Sequence, residues 1–298
     1  MTYSLVARDP ETGELGVAVQ SHFFSVGSIV CWAEPGVGAV ATQAFAEPAY
    51  GPQGLALMRS GRSAMGALGE LVDKDKGEAS RQVAMLDAGG RVAVHTGHSC
   101  VPEAGHQVGV QMSVQANMMR RDTVPGAMLD AYTATQGDLA SRMLAALDAA
   151  ESEGGDVRGR QSAALLIVGG RRTQTPWEQV IFDLRVEDHP DPLRELRRLS
   201  ELRRAYDHVE HAEQLAMNGD LPAAVEYYTQ AQELAPDNLE IRFWLGLALA
   251  GSGRVEEGRA QIQRACAEND GWAELLKRLP ATGLIPDDPE LLGTLLQN

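Results

Sequence analysis

The first twenty-one residues constrain the fold more than any other stretch. Behind Met1 runs a strand-like segment, Thr2-Tyr3-Ser4-Leu5-Val6-Ala7-Arg8. Asp9-Pro10-Glu11-Thr12-Gly13-Glu14 supplies turn chemistry, and Leu15-Gly16-Val17-Ala18-Val19-Gln20-Ser21 forms a second strand. If Asp9 pairs with Glu14 across the turn, the numbers of facing residues sum to 23. Thr2 then lies opposite Ser21, with His22 one step on. The hairpin delivers polar groups to the start of the chain, either as the wet mouth of a surface hairpin or as the floor of a site.

The chemistry of that start permits a site, although many chains begin Met-Thr and a plain edge strand is the commoner reading. Thr is small enough for Met1 removal to be expected, which leaves Thr2 with a free α-amine beside its own Oγ. A hydroxyl that attacks and an amine that takes its proton are the minimal equipment of an N-terminal nucleophile. An α-amine titrates near pH ~7.7–8.0, so much of it can accept a proton at neutral pH.

Several segments carry a resemblance. They are Thr2 to Asp9, Gly16 to Ser21, Gly36-Val37-Gly38-Ala39-Val40-Ala41-Thr42-Gln43-Ala44, His95-Thr96-Gly97, Gly154 to Ala164, and Val186-Glu187-Asp188-His189-Pro190. In this order, over roughly residues 1–205, they resemble a bacterial family of unknown function (domain of unknown function 1028) with an Ntn-hydrolase-like fold. The resemblance implies an α+β, four-layer αββα sandwich with Thr2 at the nucleophile position. It implies no particular substrate. Ntn enzymes commonly place a Lys near the nucleophile, yet the first Lys of this chain is Lys74. A proteasome-like Thr, Asp and Lys set is therefore absent.

The 298 residues suffice for two domains with their own cores. No apolar run reaches the ~18 residues of a membrane span, and the opening residues, without a basic or apolar leader pattern, are not expected to be a secretory signal. Cys31, Cys100 and Cys266 are odd in number and far apart, as expected for a reducing cytoplasm without a disulfide framework. A net charge of −15 repels phosphate backbones, so nucleic acid is not an expected partner.

Along the chain, Val26 to Trp32 and Val37 to Gln43 are expected as further strands, with Gln43 near the substrate. Helices follow at Gln53 to Arg59 and from Ser63 through Val72. Gln82 to Asp87 and Arg91 to His95 flank Ala88-Gly89-Gly90 as a hairpin. Val108 to Ala116 is expected as one strand ending at Asn117, either a turn residue or a carboxamide donor to an oxyanion. Thr96 is a candidate pocket residue. His95, His98, Cys100 and His106 match no zinc spacing, and no metal or organic cofactor is expected. Pro125 to Thr133 and Leu139 to Ala150 form a second helical layer.

Gly154 to Ser162 is the densest polar segment and runs into the strand Ala163 to Val168. It is either a loop in which Asp156 pairs with an Arg, or one in which Asp156 or Arg158 faces the nucleophile. Ser162 begins the strand within reach of the pocket. Gln179 to Arg185 is the next strand. Asp188 and His189 are either a hydrogen-bonded acid–base pair or, as such motifs more often are, the turn into the helix Pro192 to Ala205.

From Tyr206 a 34-residue period appears. Ala212, Ala224, Tyr228, Ala231 and Pro236, then Leu245, Gly246, Leu249, Gly258, Ile262 and Ala265, sit at tetratricopeptide offsets. Two repeats rarely stand alone, so either the tail caps them or they dock on the first domain, and Gly271 to Pro286 is expected to supply a cap over Trp272. That tail resembles one fused to the same family and likened to peptidoglycan-binding modules.

The expected organisation is an Ntn-hydrolase-like domain over residues 1–204 and a small all-α repeat domain over 205–298. The leading function is hydrolysis of an amide or related C–N bond in a small molecule. Thr2, Ser21, Asn117 and Asp156 are the candidate catalytic residues. His22, Gln43, Thr96, Arg158 and Ser162 are the candidate substrate contacts. The alternative is a non-catalytic scaffold that uses its repeats for peptide binding or as a homo-oligomer.

Overall fold

A computed structural model of the chain describes residues 2–297. It divides into two compact units between Ser200 and Glu201. In the first, β1 (Thr2–Arg8) and β2 (Leu15–Ser21) form a hairpin whose register runs from Tyr3 opposite Gln20 to Arg8 opposite Leu15. These are pairs whose numbers sum to 23. The turn is closed by the Asp9 carboxylate, which accepts the Glu11 and Thr12 amides at 2.9 and 3.0 Å. Gly13 supplies the left-handed backbone the turn requires, at φ +79°.

The chain continues through α1 (Gly27–Val30), β3 (Cys31–Glu34), β4 (Gly38–Ala44), α2 (Tyr50–Arg59) and α3 (Ala64–Val72). After these come β5 (Arg81–Asp87), β6 (Val92–Thr96), β7 (Gly105–Gly109) and β8 (Met112–Asn117). Helices α4 (Val124–Ala134) and α5 (Leu139–Ser152) precede β9 (Ser162–Val168) and β10 (Val180–Val186). The strands make a six-stranded sheet, β10-β9-β2-β1-β8-β7, and a four-stranded sheet, β3-β4-β5-β6.

Strand alternation decides what each face meets. Val6, Val17 and Val19 of the large sheet pack on Ala39, Ala41 and Ala84 of the small one. On the other face of the large sheet, Leu5 and Val114 meet Met128 and Leu147 of α4 and α5. On the other face of the small sheet, Val40 and Met85 meet Leu55 and Leu68 of α2 and α3. The layers are therefore helix pair, sheet, sheet, helix pair.

Two strand expectations need correction. Val26 to Trp32 is not one strand, because Gly27–Val30 is a helical turn and only Cys31–Glu34 joins a sheet. Ser25, at φ 55°, turns the chain there and donates its amide to the Glu187 carbonyl, a partner far along the sequence. Val108 to Ala116 is likewise two strands in a hairpin. Its turn places Gln111 at φ 57°, where the side chain accepts from Arg8 Nη1 at 2.6 Å. A left-handed non-glycine residue held by a tertiary contact has no local signature.

The unit boundary falls inside α6 (Pro192–Met217), four residues ahead of the expected 204/205 break. This helix runs past its expected end at Ala205, and the ion pairs of Arg203 with Asp207 and Glu210 support the extension. The second unit continues with α7 (Leu221–Leu234), α8 (Leu239–Gly251), α9 (Val255–Glu268), α10 (Gly271–Arg278) and α11 (Pro289–Leu296). Ala212, Ala224, Tyr228 and Leu245 share one core. Gly246 and Gly258 let α8 and α9 touch: a Cβ on Gly258 would lie 2.4 Å from the Gly246 carbonyl oxygen. Trp272 of α10 lies over Phe243, ring centres 5.0 Å apart. Among the described residues, no helix is long and apolar enough to cross a membrane.

Candidate active site

The space between the sheets is apolar at one end and polar at the other. Along β1 the inward positions run Val6, Ser4, Thr2, and along β4 they run Ala39, Ala41, Gln43. On β5 they run Leu86, Ala84, Gln82, and on β8 all three inward residues, Ser113, Gln115 and Asn117, are polar. Each of these polar side chains is almost fully buried, so each needs a partner.

The partners are one another. Ser113 Oγ donates to Gln115 Oε1 at 3.1 Å, Gln115 Nε2 to Ser4 Oγ at 2.7 Å, and Ser4 Oγ to Gln43 Oε1 at 2.7 Å. Gln43 Nε2 donates to Gln82 Oε1 at 2.7 Å and to the Thr2 carbonyl at 3.3 Å. Asn117 Nδ2 reaches the same two acceptors, Gln82 at 3.0 Å and Thr2 at 3.3 Å. Gln82 Nε2 donates in turn to the Ala116 carbonyl and to Thr96 Oγ1, at 2.9 and 3.0 Å. The network fixes the backbone of Thr2 from two sides.

The Thr2 side chain has a partner outside this network. Its Oγ1 donates to Ser21 Oγ at 3.1 Å, across the mouth of the hairpin. Thr2, Ser21 and Gln43 border a cavity of about 360 Å³. Phe23, Val26, Ile29, Val30, Phe45 and Pro48 also line it. Ala44, at the end of β4, also borders it and has φ 68°, a strained backbone for a residue with a Cβ.

Arg81 is the charged side chain on the cavity wall among the described residues. Its Nε meets Asp75 Oδ2 at 2.9 Å and its Nη1 donates to the Phe45 carbonyl at 2.6 Å. The bond from Arg81 holds the Asp75 carboxyl below its ordinary range, aided by the Gly77 amide and the Tyr50 hydroxyl. The positive charge is thus matched from within the fold.

The remaining expected site residues stand behind this arrangement. Ser162 does not line the cavity. Its hydroxyl donates to the Phe23 carbonyl and accepts the Val26 amide at 3.1 Å, so it pins the segment that forms the wall. Asp156 is 3% exposed and away from the cavity lining. It accepts the His22 amide at 3.2 Å and is clasped by Arg158, with Nη2 3.1 Å from Oδ2. Of the two readings of this loop, the geometry is the ion-paired one. His22 takes part through its backbone, and its ring is not on the cavity. Thr96 lies on the far side of Gln82, bonded also to His106 Nδ1 at 2.9 Å. His189 Nδ1 accepts the Asp191 amide at 2.9 Å and so closes the turn into α6. Met1, whose removal was expected, lies outside the described residues. Among the described residues no group of three His, Cys, Asp or Glu side chains is placed to hold a metal ion.

Sequence reading missed Ser4, Gln82 and Gln115 in the network, and Phe23, Phe45 and Arg81 around the cavity. The alternation Ser113, Gln115, Asn117 was a signal, but alternation ordinarily marks a face turned to water.

A profile described as a family of unknown function (DUF1028) matches residues 2–196, and a tetratricopeptide repeat profile matches residues 215–279. A crystal structure of protein SPO2555 from Silicibacter pomeroyi, described with the same family, is similar at 32% identity and a TM-score of 0.60. The match covers 66% of this chain and 87% of that one. No curated protein matches the chain.

Proposed function

The chain belongs to the family of unknown function DUF1028, and we propose that it is an N-terminal-nucleophile hydrolase acting on an amide or related C–N bond of a small molecule. One observation carries the reading: the hydroxyl of Thr2, at the head of a central strand, is held against Ser21 at the edge of a cavity. The order of helix pair, sheet, sheet and helix pair supports an Ntn-hydrolase-like fold for this domain.

The scheme begins with loss of Met1, which frees the Thr2 amine. Thr2 Oγ attacks the substrate carbonyl, an O–C bond forms, and the hydroxyl proton passes to the amine. The tetrahedral species collapses, the C–N bond breaks, and the amine returns the proton to the leaving nitrogen. Water then attacks the acyl-Thr2 ester and gives a proton to the amine. The C–O bond to Thr2 breaks, the hydroxyl recovers its proton and a carboxylic acid leaves. No metal or organic cofactor enters these steps.

Within that scheme Ser21 orients the Thr2 hydroxyl. Gln43 and Asn117 hold the Thr2 carbonyl, so that Asn117 positions the nucleophile; both amide-donor contacts it makes are spent on Thr2 and Gln82. Ser162 fixes the wall, and Asp156 with Arg158 fixes the chain at His22. Backbone N–H groups are left to hold the oxyanion.

The repeat unit supports a second role beside the first. Its match to tetratricopeptide repeats favours peptide or protein contact, including self-association, over 205–298. Three free cysteines suit a reducing cytoplasm.

The test is the intact mass of the purified protein, followed by labelling with an acylating electrophile and peptide mapping. A mass short of one Met and an adduct on Thr2 that Thr2→Ala abolishes are expected. A chain that keeps Met1, or an adduct that survives Thr2→Ala, overturns the reading.

A further inference from the structure

The cavity beside Thr2 has a composition that speaks to its ligand. The chain contains five phenylalanines. Phe182 and Phe243 are in cores, at 5% and 0% exposure, while Phe23, Phe24 and Phe45 are 50%, 63% and 64% exposed. Three of five therefore sit in water, although Phe is among the residues most often buried. Two of those three, Phe23 and Phe45, border the cavity that reaches the Thr2 hydroxyl.

The other walls agree. Val26, Ile29 and Val30 come from one short segment, and Pro48 lies on the segment after β4. That first segment is not a loose loop: Ser162 holds it at Phe23 and Val26, and the Glu187 carbonyl holds it at Ser25, at 3.0 Å. The apolar wall is thus in place before a ligand arrives, which lowers the ordering cost of binding. The charged group on the wall, Arg81, is already matched by Asp75 at 2.9 Å. A charged acyl group finds no unmatched side-chain charge on the described lining and would lose its water.

We propose that the cavity is an acyl pocket that selects an uncharged, apolar acyl group of several carbons, so that the substrate is an N-acyl compound with a lipophilic acyl part. The polar end, at Thr2 and Ser21, takes the amide, and Phe23 and Phe45 close over the hydrocarbon. This deepens the hydrolase reading and rests on it for the word substrate. The preference for an apolar chain rests on the cavity alone.

The test separates the two. Binding of acetamide, hexanamide and succinamate to the full-length Thr2→Ala protein is measured by calorimetry or ligand-observed NMR, with no turnover required. Each methylene buried is worth roughly fourfold in affinity. Hexanamide is expected to bind at least about tenfold tighter than acetamide, and succinamate no tighter than acetamide. Phe45→Ala and Phe23→Ala each reduce hexanamide binding about three- to tenfold, while Phe24→Ala, off the cavity, leaves it unchanged. These side chains are exposed, so the variants keep their fold. Equal affinities for the three amides, succinamate bound best, or hexanamide binding indifferent to Phe23 and Phe45 overturns the acyl pocket. Failure of Thr2 to take an acyl label overturns the hydrolase and leaves the binding preference standing.

Discussion

The Thr2 hydroxyl donates to the Ser21 hydroxyl at 3.1 Å, joining the first and last residues of the opening hairpin at the edge of the cavity. Ser21 thereby sets the direction of the Thr2 Oγ–H. Ser21→Ala is expected to lower the rate of Thr2 acylation by about 10–100-fold, at or below the lower bound of what a general acid or base contributes, as suits a group that only orients the hydroxyl. Thr2→Ser retains acylation and Thr2→Ala removes it. Rates of adduct formation by mass spectrometry check all three, and a Ser21→Ala protein that labels at the parent rate refutes the orienting role.

Gln82 receives two amide donors and supplies its own to Thr96 and the Ala116 carbonyl. Gln82→Leu removes the shortest acceptor of the Gln43 and Asn117 amides at the centre of the sandwich, leaving each with the longer contact to the Thr2 carbonyl. Each buried group left without a partner costs about 1–3 kcal/mol. Urea unfolding of the variant is expected to show a loss of at least about 2 kcal/mol. A loss below about 0.5 kcal/mol would mean that the neighbours re-pair.

Asp75 gives a pH signature. Its carboxyl titrates below its ordinary value of 3.8, chiefly because Arg81 bonds it. A folded-state pKa below the unfolded one stabilises the protein above pH 3.8, and that contribution is lost as pH falls through the lower folded value. The stability gap between the parent and Asp75→Asn is expected to be full at pH 6–7 and to shrink below about pH 4. Thermal unfolding from pH 7 to pH 3 checks it, and a gap that widens on acidification refutes it.

The repeat unit depends on close approach of α8 and α9. A Cβ at Gly258 would lie 2.4 Å from the Gly246 carbonyl oxygen and 2.8 Å from the Ala250 nitrogen, both backbone atoms with little room to give. Gly258→Ala is expected to destabilise this unit by about 1–3 kcal/mol. Circular dichroism during unfolding reads the change, and an unchanged midpoint would show that the helices separate at little cost.

The hairpin register was legible because turn chemistry at Asp9 to Glu14 and two alternating strands fix one pairing. The 34-residue period was legible because small residues recur where helices touch. The inner face of β8 was not, since Ser113, Gln115 and Asn117 alternate with Met112, Val114 and Ala116 as in a strand with one wet side. Only the second sheet reveals that the polar side is buried. Ser162 was placed near the pocket by its position in the chain, but its work on Phe23 and Val26 depends on a fold that brings residues more than 130 positions apart into contact. Asp156 and Arg158 were recognisable as a pair, but not the face on which the pair sits.

The amide chain from Ser113 through Ser4 and Gln43 to Gln82 also has a mechanical meaning. Dispersion forces have no direction, so two hydrocarbon faces can slide past one another at small cost. Hydrogen bonds between side chains of opposite sheets, Ser4 to Gln43 at 2.7 Å and Asn117 to Gln82 at 3.0 Å, cannot. At the Thr2 end the two sheets are bolted against shear, and a nucleophile mounted on one keeps its place relative to the other. Any movement that admits a ligand falls to the segment at 44–48, which hangs from the end of β4 and carries the Phe45 ring.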